Sequence, residues 1–217
     1  MKKFDIIFVD FDGTIHDSGG LTGFGKDIRA VFEQAGYDKE AVQSTMERAL
    51  WGEDGKSYTY NFEKHLKMLE EEFGYAFDEL LLAKLQSLVE QHNYLFPDAL
   101  SFLQYMKSVC DTMLLLSAAD PEFQHMKIQA TGIEDLFDEL LFVEYDKRPI
   151  LNDYTGHKNG LYVNDNLREN SEIIQGCPQV SVITKFRSEK YTPEQAKALG
   201  VPFFATLTEI QKYVEQL

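Results

Sequence analysis

Asp10 and Asp12 stand two residues apart and are followed at once by Gly13 and Thr14. Two carboxylates at that spacing could bind a cation, or could divide a nucleophile's work from proton transfer. Lys3-Phe4-Asp5-Ile6-Ile7-Phe8-Val9 precedes them, an apolar run with β-branched residues that reads as a buried parallel strand. Side chains alternate along a strand, so both acids leave it on one side. Open parallel sheets place their sites beyond the carboxyl ends of the strands. Two acids in a solvated turn would leave that strand unexplained.

The rest of the chain supplies the elements that must position this pair. Gly19, Gly20, Gly23 and Gly25 make a permissive loop, after which the pattern is helical to about Tyr94. One stripe is Ile28, Val31, Phe32 and Ala35, closed by Gly36, and a second is Val42, Met46, Ala49 and Leu50. A third is Phe62, His65, Leu66, Leu69 and Phe73, closed by Gly74, and Asp78 caps a fourth carrying Leu81, Leu85 and Val89. From Pro97 onward strands alternate with helices. Strands are expected at Thr112–Leu116, Leu140–Val143, Leu161–Val163, Val180–Thr184 and Phe203–Ala205. Asp120-Pro121 opens one helix, and Thr192 and Thr206 each begin a capping-box spacing. The whole predicts one α/β core, residues 1–15 with 95–217, interrupted by a helical insertion over 16–94.

Four strand ends then gather at one edge: Asp10 with Asp12, Ser117, Tyr145-Asp146-Lys147-Arg148, and Asn164-Asp165. Carboxylates, a hydroxyl and a cation together suit phosphoryl chemistry. Taken singly, Ser117 could merely end a strand, and Asp165 could cap the helix that follows.

Asp10-Phe11-Asp12-Gly13-Thr14 resembles the first motif, D-x-D-G-T, of the haloacid dehalogenase superfamily. Leu114-Leu115-Leu116-Ser117 is similar to its second motif, and Tyr162-Val163-Asn164-Asp165 to its fourth. Phe96-Pro97-Asp98 is similar to the return from the family's cap. The resemblance implies a three-layer, Rossmann-like parallel sheet core with an inserted α-helical, C1-type cap, in the phosphatase branch. It implies Asp10 as nucleophile and Asp12 as general acid and base. Ser117, Thr14 and a lysine would hold phosphate. Mg2+ would be bound by Asp10, by Asp12 through its carbonyl, and by Asp165.

The lysine of the third motif has two candidates. Lys158 lies just before the fourth strand, at its wrong end, and a four-residue strand is roughly 13 Å long. Lys147 directly follows the third strand and is preferred, with Arg148 as its nearest competitor. The short connection from Arg148 to Gly160 predicts a turn and an extended return in place of a full helical crossover. In the fourth motif Asn164 stands where Gly or Asp is frequent. Asn166 could serve the metal, and Glu169 reads as a solvated helix residue rather than an acid behind the metal ligands. Substrate choice should come from the cap loop, above all Trp51, Lys56, Tyr58 and Tyr60. His16 and Asp17 could line the pocket rim, whereas His65 on its apolar stripe reads as a packed histidine.

Composition narrows the function further. A formal charge of −15 argues against nucleic acid or an anionic membrane as partner, and requires an anionic substrate to be captured locally. Cys110 and Cys177 have neither disulfide-framework nor metal spacing and read as reduced thiols. No signal peptide or membrane span is apparent, so a cytoplasmic location is expected. The leading expectation is a Mg-dependent phosphatase acting on a small phosphorylated metabolite through an aspartyl-phosphate. The alternatives are a phosphosugar mutase using the same residues and a domain that binds a phosphorylated ligand or a protein with little turnover. Halide displacement is disfavoured, because the dehalogenase branch lacks the second acid that Asp12 provides.

Overall fold

The apolar run before Asp10 forms strand β1, Phe4–Val9, and both of its faces are covered. Ile7 and Val9 pack among Phe102, Leu103 and Met106 on one side, while Ile6 and Phe8 pack among Leu151, Tyr162 and Ile173 on the other. Two buried faces explain why the run does not alternate, and each such side chain contributes about 1.5–3 kcal/mol. The structure, a computed structural model, describes residues 2–19, 22–52, 55 and 57–217.

Four helices follow β1: α1 (Gly23–Gln34), α2 (Lys39–Ala49), α3 (Phe62–Phe73) and α4 (Glu79–Gln91). After them come α5 (Ala99–Val109), β2 (Cys110–Ala118), α6 (Pro121–Thr131) and β3 (Glu139–Val143). The chain ends with α7 (Arg148–Thr155), β4 (Gly160–Asn164), α8 (Leu167–Gly176), β5 (Val180–Lys185), α9 (Pro193–Ala198), β6 (Phe203–Phe204) and α10 (Leu207–Gln216). The strands form one six-stranded sheet in the order β3-β2-β1-β4-β5-β6, with every pairing parallel. Residues of α5 and α10 cover one face, and residues of α7 and α8 the other. This is the three-layer, Rossmann-like α/β architecture expected.

Strand order reverses beside β1. The chain runs outward through β2 and β3, then crosses back to β4 on the other side. Such a reversal opens a crevice at the carboxyl ends of the two central strands. The register pairs Val9 with Val163, and the Asp10 N–H donates to the Val163 carbonyl at 3.0 Å. Asp10 therefore emerges beside Asn164 and Asp165, which end the neighbouring strand.

The helical insertion has its own apolar cluster, including Phe32, Leu66, Leu69 and Leu85, and Phe123 of α6 joins it. Its two chain passages run side by side: the Asp17 N–H donates to Tyr94 O at 2.7 Å and the Phe96 N–H to Ile15 O at 2.9 Å. Asp78 and Asp120 cap α4 and α6 through backbone N–H groups, as their positions predict. Thr192 and Thr206 both complete capping boxes. The connection from β3 to β4 differs from expectation. It holds the two-turn helix α7, started by Lys147-Arg148-Pro149, because proline is favoured at the first helical positions. Among the described residues no helix is long and apolar enough to cross a membrane.

Candidate active site

Asp10 is 5% exposed and ends β1 at the strand crossing. Its Oδ1 accepts from Lys147 Nζ at 2.7 Å, and its Oδ2 accepts from Thr14 Oγ1 at 3.0 Å. Lys147 is the N-cap residue of α7, four residues after the end of β3, and its ammonium also donates to Tyr162 OH and Glu169 Oε2, both at 2.9 Å. Burial opposes charge on Lys147, but Asp10 and Glu169 outweigh it and hold it well above the ordinary lysine range. Burial, assisted by Asp165 and Glu169 against the pull of Lys147, pushes the Asp10 carboxyl up to about 7. Lys147 is thus the cation at Asp10. Arg148 instead pairs with Asp146 at 2.8 Å, and Lys158 precedes β4 at the opposite edge of the sheet.

Gly13, at φ 80°, makes the turn that brings Asp12 and Thr14 round the end of β1. A Cβ there would meet the Asp165 carboxylate and the Arg187 guanidinium, so the turn must be glycine. Thr14 departs from its expected role. It is fully buried, its hydroxyl donates to Asp10, and it accepts from the Asp165 N–H at 3.0 Å. Its one donor is spent, so Thr14 ties two acids together rather than contacting phosphate.

Asp12 meets a partner that the sequence did not announce. Lys127 Nζ lies 2.7 and 2.8 Å from its two oxygens, and Gln124 Nε2 donates to Oδ2 at 2.9 Å. Ser18 Oγ donates to Oδ1, and His16 Nδ1 lies 2.7 Å from that hydroxyl. Burial would raise the Asp12 carboxyl, but these groups hold it well below the usual range. His16 is itself kept neutral by burial, lowered to about 3, so Lys127 supplies the charge that matters. Lys127 lies 5.3–5.9 Å from the ring centres of Phe11, Phe24 and Phe123, a setting that favours a cation. Its position and that of Gln124, one turn apart on the helix after Ser117, are a signal visible in the sequence only as polar breaks in an apolar face.

Ser117 is the next-to-last residue of β2 and accepts from Gln124 Nε2 at 2.9 Å. Asp165 is 3% exposed and does not cap the next helix. That work falls to Asn166, whose side chain accepts from the Arg168 and Glu169 N–H groups. The Asp165 carboxylate instead faces Arg187 Nη1 at 3.3 Å and Lys190 Nζ at 3.5 Å, both on Oδ2. Burial raises its carboxyl, against the pull of Lys190 and Arg187. These two cations follow the fifth strand, whose end has the same positional warrant as the four singled out from sequence. Glu169 is likewise no solvated residue. It is 9% exposed and bonded to Lys147, Asn164 and Asn166.

The carboxylates Asp10, Asp12, Asp165 and Glu169 and the cations Lys127, Lys147, Arg187 and Lys190 border one cavity of about 360 Å3. Asp10, Asp12, Ser117, Lys147 and Asp165 line its sheet side, and Phe24, Ile28, Met46, Leu50, Tyr58 and Tyr60 its helical side. Tyr58 is therefore at the cavity as expected, with Trp51 packed on it at 4.7 Å between ring centres. Lys56 lies outside the described residues. His65 is packed, as its stripe predicts, between Thr45 Oγ1 at 2.8 Å and Tyr60 OH at 3.1 Å.

A family model for haloacid dehalogenase-like hydrolases matches residues 4–153. The chain belongs to this family. Solved structures of the same fold include a haloacid dehalogenase-like hydrolase from Burkholderia xenovorans LB400, 18% identical, TM-score 0.71, covering 96% of each chain. L-2-haloacid dehalogenase from Xanthobacter autotrophicus, with chloropropionic acid covalently bound, is 16% identical at TM-score 0.63 over 98% of each chain. The HAD-hydrolase YfnB from Bacillus subtilis, bound to magnesium, is 16% identical at TM-score 0.62 over 98% of this chain and 99% of its own. No curated protein matches the sequence.

The site's chemistry fits a hard divalent cation. Two buried carboxylates, Asp10 and Asp165, are joined through one threonine, and each is pushed up by burial. Among the described residues no group of three or more His, Cys, Asp or Glu forms a side-chain cage. Magnesium characteristically takes one or two carboxylates and fills its shell with water and substrate phosphate.

Proposed function

We propose that this haloacid dehalogenase-like hydrolase is a phosphatase that cleaves a small phosphorylated metabolite through an aspartyl-phosphate on Asp10. The observation that carries this reading is the placing of Asp12, a second carboxylate on the same cavity as Asp10 and hydrogen-bonded to Lys127 and Gln124. An Asp10 oxygen would attack phosphorus as the bond to the leaving oxygen breaks. Asp12 would protonate that oxygen, then take a proton from the water that displaces Asp10. Lys127 holds it ionised at rest, so the proton it gives the leaving oxygen is one it would first take up from solvent as substrate binds. Ser117 and Lys147 would hold the remaining phosphoryl oxygens, Lys147 moving part of its hydrogen bonding from Asp10 to the transferring group. Magnesium would be held by the Asp10 and Asp165 carboxylates and the Asp12 carbonyl, and would neutralise phosphate charge. The magnesium reported for the B. subtilis neighbour supports that choice. Residues 16–94 would act as the cap over the site, with Tyr58 touching substrate.

The dehalogenase reading is disfavoured by Asp12, since displacement of halide needs no second acid to protonate a leaving oxygen. The test is phosphate release from acetyl phosphate with and without Mg2+. Turnover that Asp10→Asn abolishes is the expected result. Metal and phosphate binding without turnover across a panel of phosphomonoesters would refute it, and isomerisation of a phosphosugar without net release would favour the mutase.

A further inference from the structure

The two sides of the cavity differ in chemistry. Toward the sheet stand carboxylates, cations and a hydroxyl. Toward the helices stand Phe24 and Ile28 of α1, Met46 and Leu50 at the cavity side of α2, and Tyr60. Phe24, Ile28 and Met46 offer no conventional donor or acceptor, and the Tyr60 hydroxyl is 3.1 Å from His65 Nδ1. Burial pushes that hydroxyl's ionisation far up, so it remains a neutral phenol inside the wall. Polar groups also reach this side, Arg29 of α1, the Tyr58 phenol, and Gln43 and Glu47, the last two exposed and bonded to each other at 2.7 Å.

The aromatic part of the wall is fixed by mutual packing. Phe123 contacts Phe24, Tyr60 and Phe62, with ring centres 6.2, 5.4 and 4.9 Å away. Phe24 in turn packs on Tyr94 at 5.3 Å. These rings form a face that needs no reordering to receive a flat apolar group, which keeps the entropic cost of binding low. Leu50, 39% exposed at the end of its helix, extends the apolar surface outward instead of joining the helical core.

We propose that the group carried by the phosphate is apolar and ring-shaped, seated against the Phe24, Ile28, Met46 and Tyr60 wall while the phosphate faces Asp10. This rests on the phosphatase reading and names its substrate class: an aryl- or arylalkyl-type phosphomonoester rather than a phosphosugar. A sugar's hydroxyls seated against the Phe24, Ile28, Met46 and Tyr60 face would each lose water without a partner there. A ring gains from leaving water, and a pocket built from carbon discriminates by roughly tenfold or more for each well-fitted apolar increment. A cavity of about 360 Å3 is within the range of small-molecule sites and accommodates a phosphate with a compact ring group.

Three probes separate the two levels of the proposal. Acetyl phosphate reports the sheet side alone, because its leaving group is too small to reach the helical wall. Benzyl phosphate and glycerol 3-phosphate have alkyl leaving groups of similar size but opposite polarity. Asp10-dependent turnover of acetyl phosphate together with a kcat/KM for benzyl phosphate at least about tenfold above glycerol 3-phosphate is the expected result. Met46→Gln, at a half-buried position, should lower the benzyl to glycerol ratio by about tenfold. A ratio at or below one with acetyl phosphate turned over would overturn the ring-shaped substrate and leave the phosphatase standing. If no probe is turned over, the phosphatase reading fails, and calorimetric binding of benzylphosphonate against 2,3-dihydroxypropylphosphonate still decides the wall's preference. Equal binding, or none, rejects it.

Discussion

Replacing Lys147 by methionine keeps the length of the side chain and removes its charge from among Asp10, Tyr162 and Glu169. Lys147 is 4% exposed, so little water replaces the ammonium. Removing one member of a buried ion pair costs about 3–5 kcal/mol, because the partner charge stays behind. In a chain of this size that lowers Tm by about 10 °C near pH 8. The deficit depends on pH, with a sign fixed by Asp10. Its carboxyl already lies at about 7 with Lys147 pulling it down, and loss of Lys147 raises it further. The folded state then binds that proton more tightly than the unfolded chain does. The penalty is fully present above the raised pKa and is relieved as pH falls through it. Melts of Lys147→Met and the parent at pH 8 and pH 5 should show a gap that narrows on acidification. A gap below about 2 °C at pH 8, or one that widens toward pH 5, would refute this account of Lys147 as the counter-charge of a buried site.

Other perturbations separate the remaining parts. Glu169→Gln keeps the shape behind Lys147 but not the charge, and should lower kcat/KM for acetyl phosphate by about 10–100-fold, read in steady-state assays. Gly13→Ala forces a side chain into the left-handed region and against Asp165, with an expected loss of about 1–2 kcal/mol in denaturant melts and no metal-dependent turnover. Burial lowers His65 to about 4, below its ordinary value of 6.5, so the folded state resists protonation. Stability from this group is complete above pH 6.5 and falls by up to about 3 kcal/mol as pH drops toward 4. His65→Gln should remove that part of the acid slope in urea melts, and an unchanged slope would show that His65 is protonated where it sits.

Much of the site could be read before the fold. Asp10 and Asp12 are legible because a doubly covered strand must be apolar throughout and the acids interrupt it at its end. Ser117 and Asp165 follow by the same logic. Lys147 was separable from Lys158 because a parallel sheet has one productive edge. The helical insertion was legible from 3.6-residue stripes closed by glycines and capped by Asp78. The partners that set each group's charge were not. Lys127 lies 115 residues from Asp12 in the chain, on a helix whose polar positions look like ordinary breaks in an apolar face. Glu169 read as solvated because its local neighbours are polar, yet Lys147 reaches it across 22 residues and buries it.

The sequence by itself determined the order of strands and helices along the chain and the acids at the strand ends, because periodicity, caps and strand termini are local properties, and its Asp10-to-Thr14 motif carried the resemblance to the family. Tertiary structure alone decided that Thr14 ties Asp10 to Asp165, that Lys127 holds Asp12 ionised, and that Phe24, Ile28, Met46 and Tyr60 turn an apolar face to the cavity. Those outcomes depend on which side chains meet across layers. Desolvation and Coulomb interaction then fix their charge, and neither is written in the spacing of residues along the chain.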